Sequence, residues 1–239
     1  MSYLLEKTIK KVTAAVRDFH MIEDTQGIMV GLSGGKDSIT LLYILYQFWR
    51  RSKYKYPLGA GHIGMGWDTD ITPLEEFCES LDIPFYYEPT KIGPIVFNVR
   101  NEKNPCSLCA KMRRGALNNL AKNNGFNKVA LAHHMDDAVE TVLLKMFYEG
   151  RMESFSPMTY LDQRDITVIR PLVYVPEQDI NRLCRALNFP VMENPCPANG
   201  YTRRQDMKEI IRLIEKTNPL AKERAITALK HINSEKSWK

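Results

Sequence analysis

Residues 27–51, GIMVGLSGGKDSITLLYILYQFWRR, constrain the fold more than any other stretch of the chain. GIMVGLS is a short apolar run opened and closed by small residues, which reads as a buried strand. It passes through two adjacent glycines into KDSITLLYILYQFWRR, whose apolar positions recur at helical spacing. The alternation then repeats. PLGAGHIGMG (57–66) is a second strand, weakened by its glycines, and TPLEEFCESLD is a helix with Thr72 as cap and Pro73 in its first turn. IPFYYEPT (83–90) is β-branched and aromatic, hence a third strand. CSLCAKMRRGALNNLAKNNG is a helix ending at Gly125, NKVALAHH a strand, and DDAVETVLLKMFYEG a helix whose acids suit the positive end of its dipole. TVIRPLVYV and PEQDINRLCRALN supply one more strand and helix.

Strands alternating with helices predict an α/β fold with a doubly wound parallel sheet. After about residue 195 the pattern is helical only. The expected organisation is an N-terminal helix over 1–26, a main domain over 27–195 and a C-terminal helical tail over 196–239. A chain of 239 residues can bury a core of that size. No run approaches the roughly 18 apolar residues that span a bilayer. MSYLLEKTIKKV carries charge inside its apolar pattern, as an amphipathic helix does and a signal peptide does not. The expectation is a cytoplasmic protein with no membrane partner. A net charge of +5 is compatible with a polyanionic partner without specifying one.

GLSGGKDS (31–38) stands where a parallel α/β sheet presents backbone N–H groups to an anion. Gly34 and Gly35 allow close approach of phosphate oxygens, and Ser33, Lys36 and Ser38 add hydroxyl and ammonium donors. A Walker A loop is excluded by Val30 and Asp37, which occupy the positions of its first glycine and its Ser/Thr. A bare β–α turn would not need Ser, Lys, Asp and Ser packed around two glycines. LAHHMDDAVET (131–141) ends another strand, so its carboxyl end meets the same rim. Asp136 and Asp137 are candidates to hold Mg²⁺ against a pyrophosphate. One of the pair is expected merely to cap the helix; Asp136 is assigned that part and Asp137 the functional one. His133 and His134 have too few neighbours for a zinc site and read as packed or substrate-contacting groups.

Five cysteines are an odd number, and in a chain expected to be intracellular those that cluster point to metal or redox chemistry. Cys106 and Cys109 open a helix, and its dipole with Lys111, Arg113 and Arg114 favours their thiolates. The pair alone reads as a zinc half-site, a redox pair or chance. Cys196, between two prolines, is a third candidate, whereas Cys78 and Cys184 sit in amphipathic helices as inert residues. Three thiolates without a fourth leave an open position. Structural zinc sites usually close with four ligands; an iron–sulfur cluster on three cysteines leaves one iron free.

SGGKDS after a buried strand resembles the signature of the PP-loop (N-type ATP pyrophosphatase) superfamily, whose members split ATP between its α and β phosphates. Taken with CSLCAKMRRG, LAHHMDDAVET, IRPLVYVPEQDI and a late cysteine before RRQDMKEI, the chain resembles the tRNA 2-thiocytidine synthetase (TtcA) family from about residue 27 to 215. The resemblance implies ATP, Mg²⁺ and a [4Fe–4S] cluster as cofactors, with Cys106, Cys109 and Cys196 as cluster ligands. It implies ATP on Ser33, Gly34, Gly35, Lys36, Asp37 and Ser38, with the adenine near Gly64 and Met65. Asp137, Lys36 and Asp37 would be catalytic, Asp137 holding the metal. Arg113, Arg114, Arg203 and Arg204 would meet tRNA phosphates. The implied partners are tRNA and a sulfur donor protein or sulfide, and the family reading admits a homodimer. Two departures stand out: Ala132 replaces the glycine usual before the His-His pair, and HIGMGWDTD differs from the family's second strand. The alternatives are another PP-loop enzyme, acting on a different tRNA base or a small molecule, and a non-catalytic zinc-stabilised RNA-binding module.

Overall fold

Ile28, Met29 and Val30 are wholly shielded from solvent, as a central strand with helices on both faces requires. In the computed structural model, which describes residues 2–22, 26–52, 55–100, 105–193, 196 and 203–231, they form β1 (Ile28–Gly31). Around it stand β2 (Leu58–Gly64), β3 (Phe85–Pro89), β4 (Lys128–Ala130), β5 (Met158–Leu161) and β6 (Ile166–Ile169), in the spatial order β3-β2-β1-β4-β6-β5. Pairing is parallel from β3 to β6. The order reverses between β1 and β4, and in open α/β sheets ligands bind at the carboxyl ends of the strands at such a switch point.

The helices divide between the two faces. On one, α1 (Ser2–Asp18) contributes Ile9, Val12, Ala15 and Val16, and α2 (Lys36–Arg51) contributes Ile39, Leu41, Leu42, Ile44 and Leu45. Each fully buried Leu or Ile stabilises the fold by about 2 kcal/mol. α3 (Thr72–Ser80) joins this face through Leu74 and Cys78. On the other, α5 (Pro105–Asn123) seats Leu117, Leu120 and Ala121 against Met29, Val129 and Phe126. α5 comes very close to the sheet. A Cβ on Gly31 would stand 2.7 Å from Leu117 Cδ2, so this strand position has room for hydrogen alone.

The expected parallel sheet needs one correction. β5 is an antiparallel edge strand, paired to β6 in the register Met158↔Ile169 to Leu161↔Ile166. Its four residues are half exposed and carry no apolar run, so the sequence pattern passed over them. TVIRPLVYV likewise stops being a strand at Ile169 and continues as turns. α4 (Ile92–Pro94), running on as a π-helical turn over Ile95–Val99, was also unexpected; Gly93 and Pro94 hid it. After β4 comes α6 (Met135–Glu149), and α7 (Glu177–Ala186) follows β6. The tail forms α8 (Arg203–Thr217) and α9 (Ala221–Lys230), both packed on α6. Among the described residues no helix is long and apolar enough to cross a membrane.

Candidate active site

No side chain caps α2 at Gly35, the residue before its first turn. Its leading amides therefore face the rim of the sheet at the positive end of the helix dipole. The loop leading in is held by its own hydroxyls. Ser38 Oγ accepts from Ser33 N–H and Ser33 Oγ–H, both at 3.0 Å, and donates to the Gly35 carbonyl at 2.9 Å. Gly34 has φ +81°, and a Cβ there would meet Met192 Sδ at 3.0 Å. Gly34→Ala is expected to cost about 1–2 kcal/mol of stability in urea denaturation, because alanine is strained at this φ and crowds Met192.

Lys36 does not reach freely into the rim. Its Nζ donates to Asp37 Oδ1 at 2.7 Å and to Glu177 Oε1 at 2.9 Å. Burial opposes the ammonium charge, but these two carboxylates outweigh it and raise the pKa of Lys36. Burial likewise opposes charge on Glu177, yet Lys36, with help from Lys208 and His134, brings that carboxyl down to about 2. Ion pairs continue outward from this point. Glu177 Oε2 lies 3.5 Å from Lys208 Nζ, and Lys208 lies 3.9 Å from the buried Glu140. Arg204 then pairs with Glu140 at 3.4 Å and with Asp137 at 3.6 Å.

The cap of α6 falls to Asp137 and not, as expected, to Asp136. His134 is the N-cap of α6, and Asp137 closes the capping box: its Oδ2 accepts from His134 N–H at 3.0 Å. Asp136 caps α7 instead, accepting from Glu177 N–H at 2.7 Å, while its other oxygen pairs with Lys222 of α9 at 2.6 Å. Asp136 is buried and fully committed. Asp137 is less enclosed and borders a cavity, so capping its helix and facing that cavity fall to one residue.

That cavity, of about 570 Å³, gathers most of the expected residues. Ser33, Asp37 and Ser38 line it from the loop, and His133 and Asp137 from the end of β4. Cys106, Cys109 and Cys196 line the same cavity. All five cysteines are free thiols, with Cys106 exposed and Cys109 and Cys196 partly shielded. The expected thiolate bias is not seen at Cys109. Burial pushes its thiol up, Cys196 and Cys106 add to this, and the nearby Arg113 only partly offsets them. Among the described residues no three His, Cys, Asp or Glu side chains converge on a single metal ion. Cys78 is buried, with its thiol pushed up to about 12, as an inert core residue should be. The Asn-Pro lead-ins at 104–105 and 194–195 lie partly or wholly outside the described residues.

The arginines fall in different places. Arg113 is half-buried, lines this cavity and its neighbour, and among the described residues has no carboxylate partner. Arg114 is exposed at the cavity wall, Arg203 lies 4.7 Å over the Tyr148 ring, and Arg204 is engaged by Glu140 and Asp137. His133 packs on Phe155 with its Nδ1 buried and unpartnered. Burial, reinforced by Arg170 and Arg204, lowers its pKa to about 4 against the pull of Asp137, so its ring is neutral at pH 7. Gly64 ends β2 and Met65 follows it, and both carbonyls already accept hydrogen bonds. Gly64 O accepts from Thr90 N–H and Oγ1–H, and Met65 O from Gly93 N–H. Glu177, unnoticed in the sequence, holds Lys36 beside the site; only its place at the start of PEQDI hinted at it.

The fold and its loop define a doubly wound α/β domain with a glycine-rich anion cradle at the end of its central strand. A family model described as a PP-loop domain matches residues 4–212. The chain is 38% identical to the tRNA-cytidine(32) 2-sulfurtransferase of Citrifermentans bemidjiense, over 93% of this chain and 89% of that protein. It is 39% identical to the protein of the same name from Geobacter sulfurreducens, over 95% and 90%. Among solved structures, the U34-tRNA thiolase NcsA from Methanococcus maripaludis, with its [4Fe-4S] cluster, superposes with a TM-score of 0.78 at 23% identity. That likeness covers 96% of this chain and 80% of the other, and speaks for the fold. The chain belongs to the PP-loop domain family and, within it, to the family of the tRNA-cytidine(32) 2-sulfurtransferases.

Proposed function

We propose that this protein is an ATP-dependent tRNA sulfurtransferase that replaces the C2 oxygen of a cytidine with sulfur. One observation carries the reading: the glycine-rich loop, Asp137 and three cysteines line a single cavity. The loop amides, with Ser33, Ser38 and Lys36, hold the phosphates of ATP. Lys36 meets them by exchanging its carboxylate partners for phosphate oxygens. Asp137 holds Mg²⁺ through the oxygen not used in its helix cap, and Asp37 stands beside Lys36 at the loop. The cytidine O2 attacks the α-phosphorus and pyrophosphate leaves. Sulfide then adds at C2, and AMP departs with the former carbonyl oxygen, so no carbon changes oxidation state.

Three thiols on one cavity without a fourth suit a [4Fe–4S] cluster, which keeps one iron open, better than a structural zinc site, which closes with four ligands. Cys106, Cys109 and Cys196 would hold it, and when bound it supplies an open iron position for the incoming sulfide. Cys109, with its raised pKa, gives up a proton on ligation, so loading is favoured by higher pH. The sulfide comes from a donor protein or from free sulfide, and Arg114 at the cavity wall meets tRNA phosphate.

The test is iron and acid-labile sulfide content of protein purified without oxygen, together with ATP-dependent thiolation of tRNA, for wild type and Cys196→Ala. About four irons per chain, lost with thiolation in Cys196→Ala, is the expected result. Zinc or a colourless protein in the wild type, or full activity in Cys196→Ala, overturns the cluster mechanism.

A further inference from the structure

Next to the phosphate loop, and sharing Ser33 and Arg113 with the cysteine cavity, is a second hollow of about 150 Å³. Met65, Trp67, Tyr87 and Met192 give it flat, apolar walls suited to a purine. Of the backbone carbonyls at its edge, Gly64 O already accepts twice from Thr90 and Met65 O once from Gly93. Side-chain acceptors on the lining therefore bear on which ligand the hollow takes.

His62 is the buried polar side chain of this hollow, 7% exposed. Its Nδ1 lies 2.8 Å from the Leu32 carbonyl oxygen. A carbonyl only accepts, so Nδ1 carries the ring's proton. Burial, with Arg113 nearby, lowers the pKa of His62, so the ring stays neutral and Nε2 is a bare acceptor. Among the described residues nothing pairs with Nε2, and it is not one of the enclosed unpartnered atoms. The ring lies beside Phe85 and Tyr87 of β3, with centroids 6.5 and 5.9 Å away and planes at 26° and 23° to its own. A tautomer and an orientation are thus both imposed on a group that opens into the hollow.

We propose that His62 is a specificity-determining residue of the nucleotide site, its Nε2 accepting a hydrogen bond from a donor on ATP, either the exocyclic amine of adenine or a ribose hydroxyl. The proposal rests on the nucleotide reading given above and deepens it. A buried acceptor left unpaired penalises any analogue that lacks the donor. His62→Asn keeps an N–H for Leu32 but withdraws the acceptor at Nε2, and His62→Gln offers an acceptor near the same place.

The experiment measures dissociation constants of the full chain for ATP, ITP, 2′-deoxy-ATP and 3′-deoxy-ATP by calorimetry. Wild type is expected to favour ATP by about thirtyfold over whichever analogue lacks the donor. ITP as the rejected analogue identifies the amine; a deoxynucleotide identifies the hydroxyl. In His62→Asn the preference falls to within about threefold, and His62→Gln restores part of it. Equal binding of all four by wild type, or a preference that survives in His62→Asn, overturns the assignment while leaving the nucleotide site in place. Failure of wild type to bind ATP at all removes the nucleotide reading and this one together. The wild-type comparison decides even where a variant does not fold.

Discussion

Lys36→Met is expected to lower kcat/KM for ATP-dependent tRNA thiolation by at least about a hundredfold, the scale on which a preorganised charge at a reacting phosphate acts. The variant keeps the length of the side chain and removes its charge. It also leaves Asp37 and Glu177, which Lys36 now bridges at 2.7 and 2.9 Å, without their common cation. Glu177, which Lys36 holds down to about 2 against the upward push of burial, then moves up, with only Lys208 and His134 left to pull it down. The stability consequence has a definite sign. A carboxyl depressed in the folded state stabilises above about pH 4.5 and loses that contribution as pH falls toward 2. Wild type should therefore lose stability steeply between about pH 5 and 2. Lys36→Met starts lower at pH 7 and has a flatter profile in that window. Urea denaturation at several pH values reads the second effect, and single-turnover thiolation the first. A kcat/KM within about tenfold of wild type would remove Lys36 from the chemistry.

Asp136→Ala is expected to destabilise the fold by about 4 kcal/mol, the scale of a buried ion pair robbed of one partner. The Asp136 carboxylate is 9% exposed, and it serves two helices at once. It takes the leading N–H of α7 at 2.7 Å and the ammonium of Lys222 at 2.6 Å. Alanine uncaps α7 and leaves Lys222, itself shielded, with Glu215 alone at 3.0 Å. Asp136→Asn still accepts from Glu177 N–H, so about half the loss should return. For a chain of this length the full loss lowers Tm by about 10 °C. A double-mutant cycle with Lys222→Met isolates the pair from the cap. A loss below about 1 kcal/mol in Asp136→Ala would mean that α9 is held by other contacts.

The strand–loop–helix unit at 27–51 was legible because its evidence is local: an apolar run, adjacent glycines and helical periodicity are all read within one segment. The alternation that followed gave the α/β class for the same reason. What could not be read was long-range. Lys36 meets Glu177 across 141 positions, and no spacing rule links the two. That Asp137, and not Asp136, caps α6 was hidden because DDAVE offers the same capping chemistry at either residue; the leading N–H of α7 and Lys222 of α9 claim Asp136 and decide between them. The Cys109 thiol was misjudged because helix dipole and arginines are visible in sequence, whereas burial is not. The glycines of β2 looked like flaws in a strand. In the fold Gly61 leaves space for Met29 and Leu117, where α5 leans on the sheet.

The run of opposite charges from Lys36 through Glu177, Lys208, Glu140 and Arg204 to Asp137 makes the tail more than an appendage. α8 supplies the cations that let α6 keep a carboxylate at Glu140 in a nearly dry place, and α9 does the same for Asp136. A chain ending before residue 203 would keep every strand of the sheet yet leave Glu140 and Asp136 without the cations that pair them. The tail is thus a built-in counter-ion, and rising ionic strength, which screens its more exposed links, should loosen its grip on α6 before it touches the apolar core.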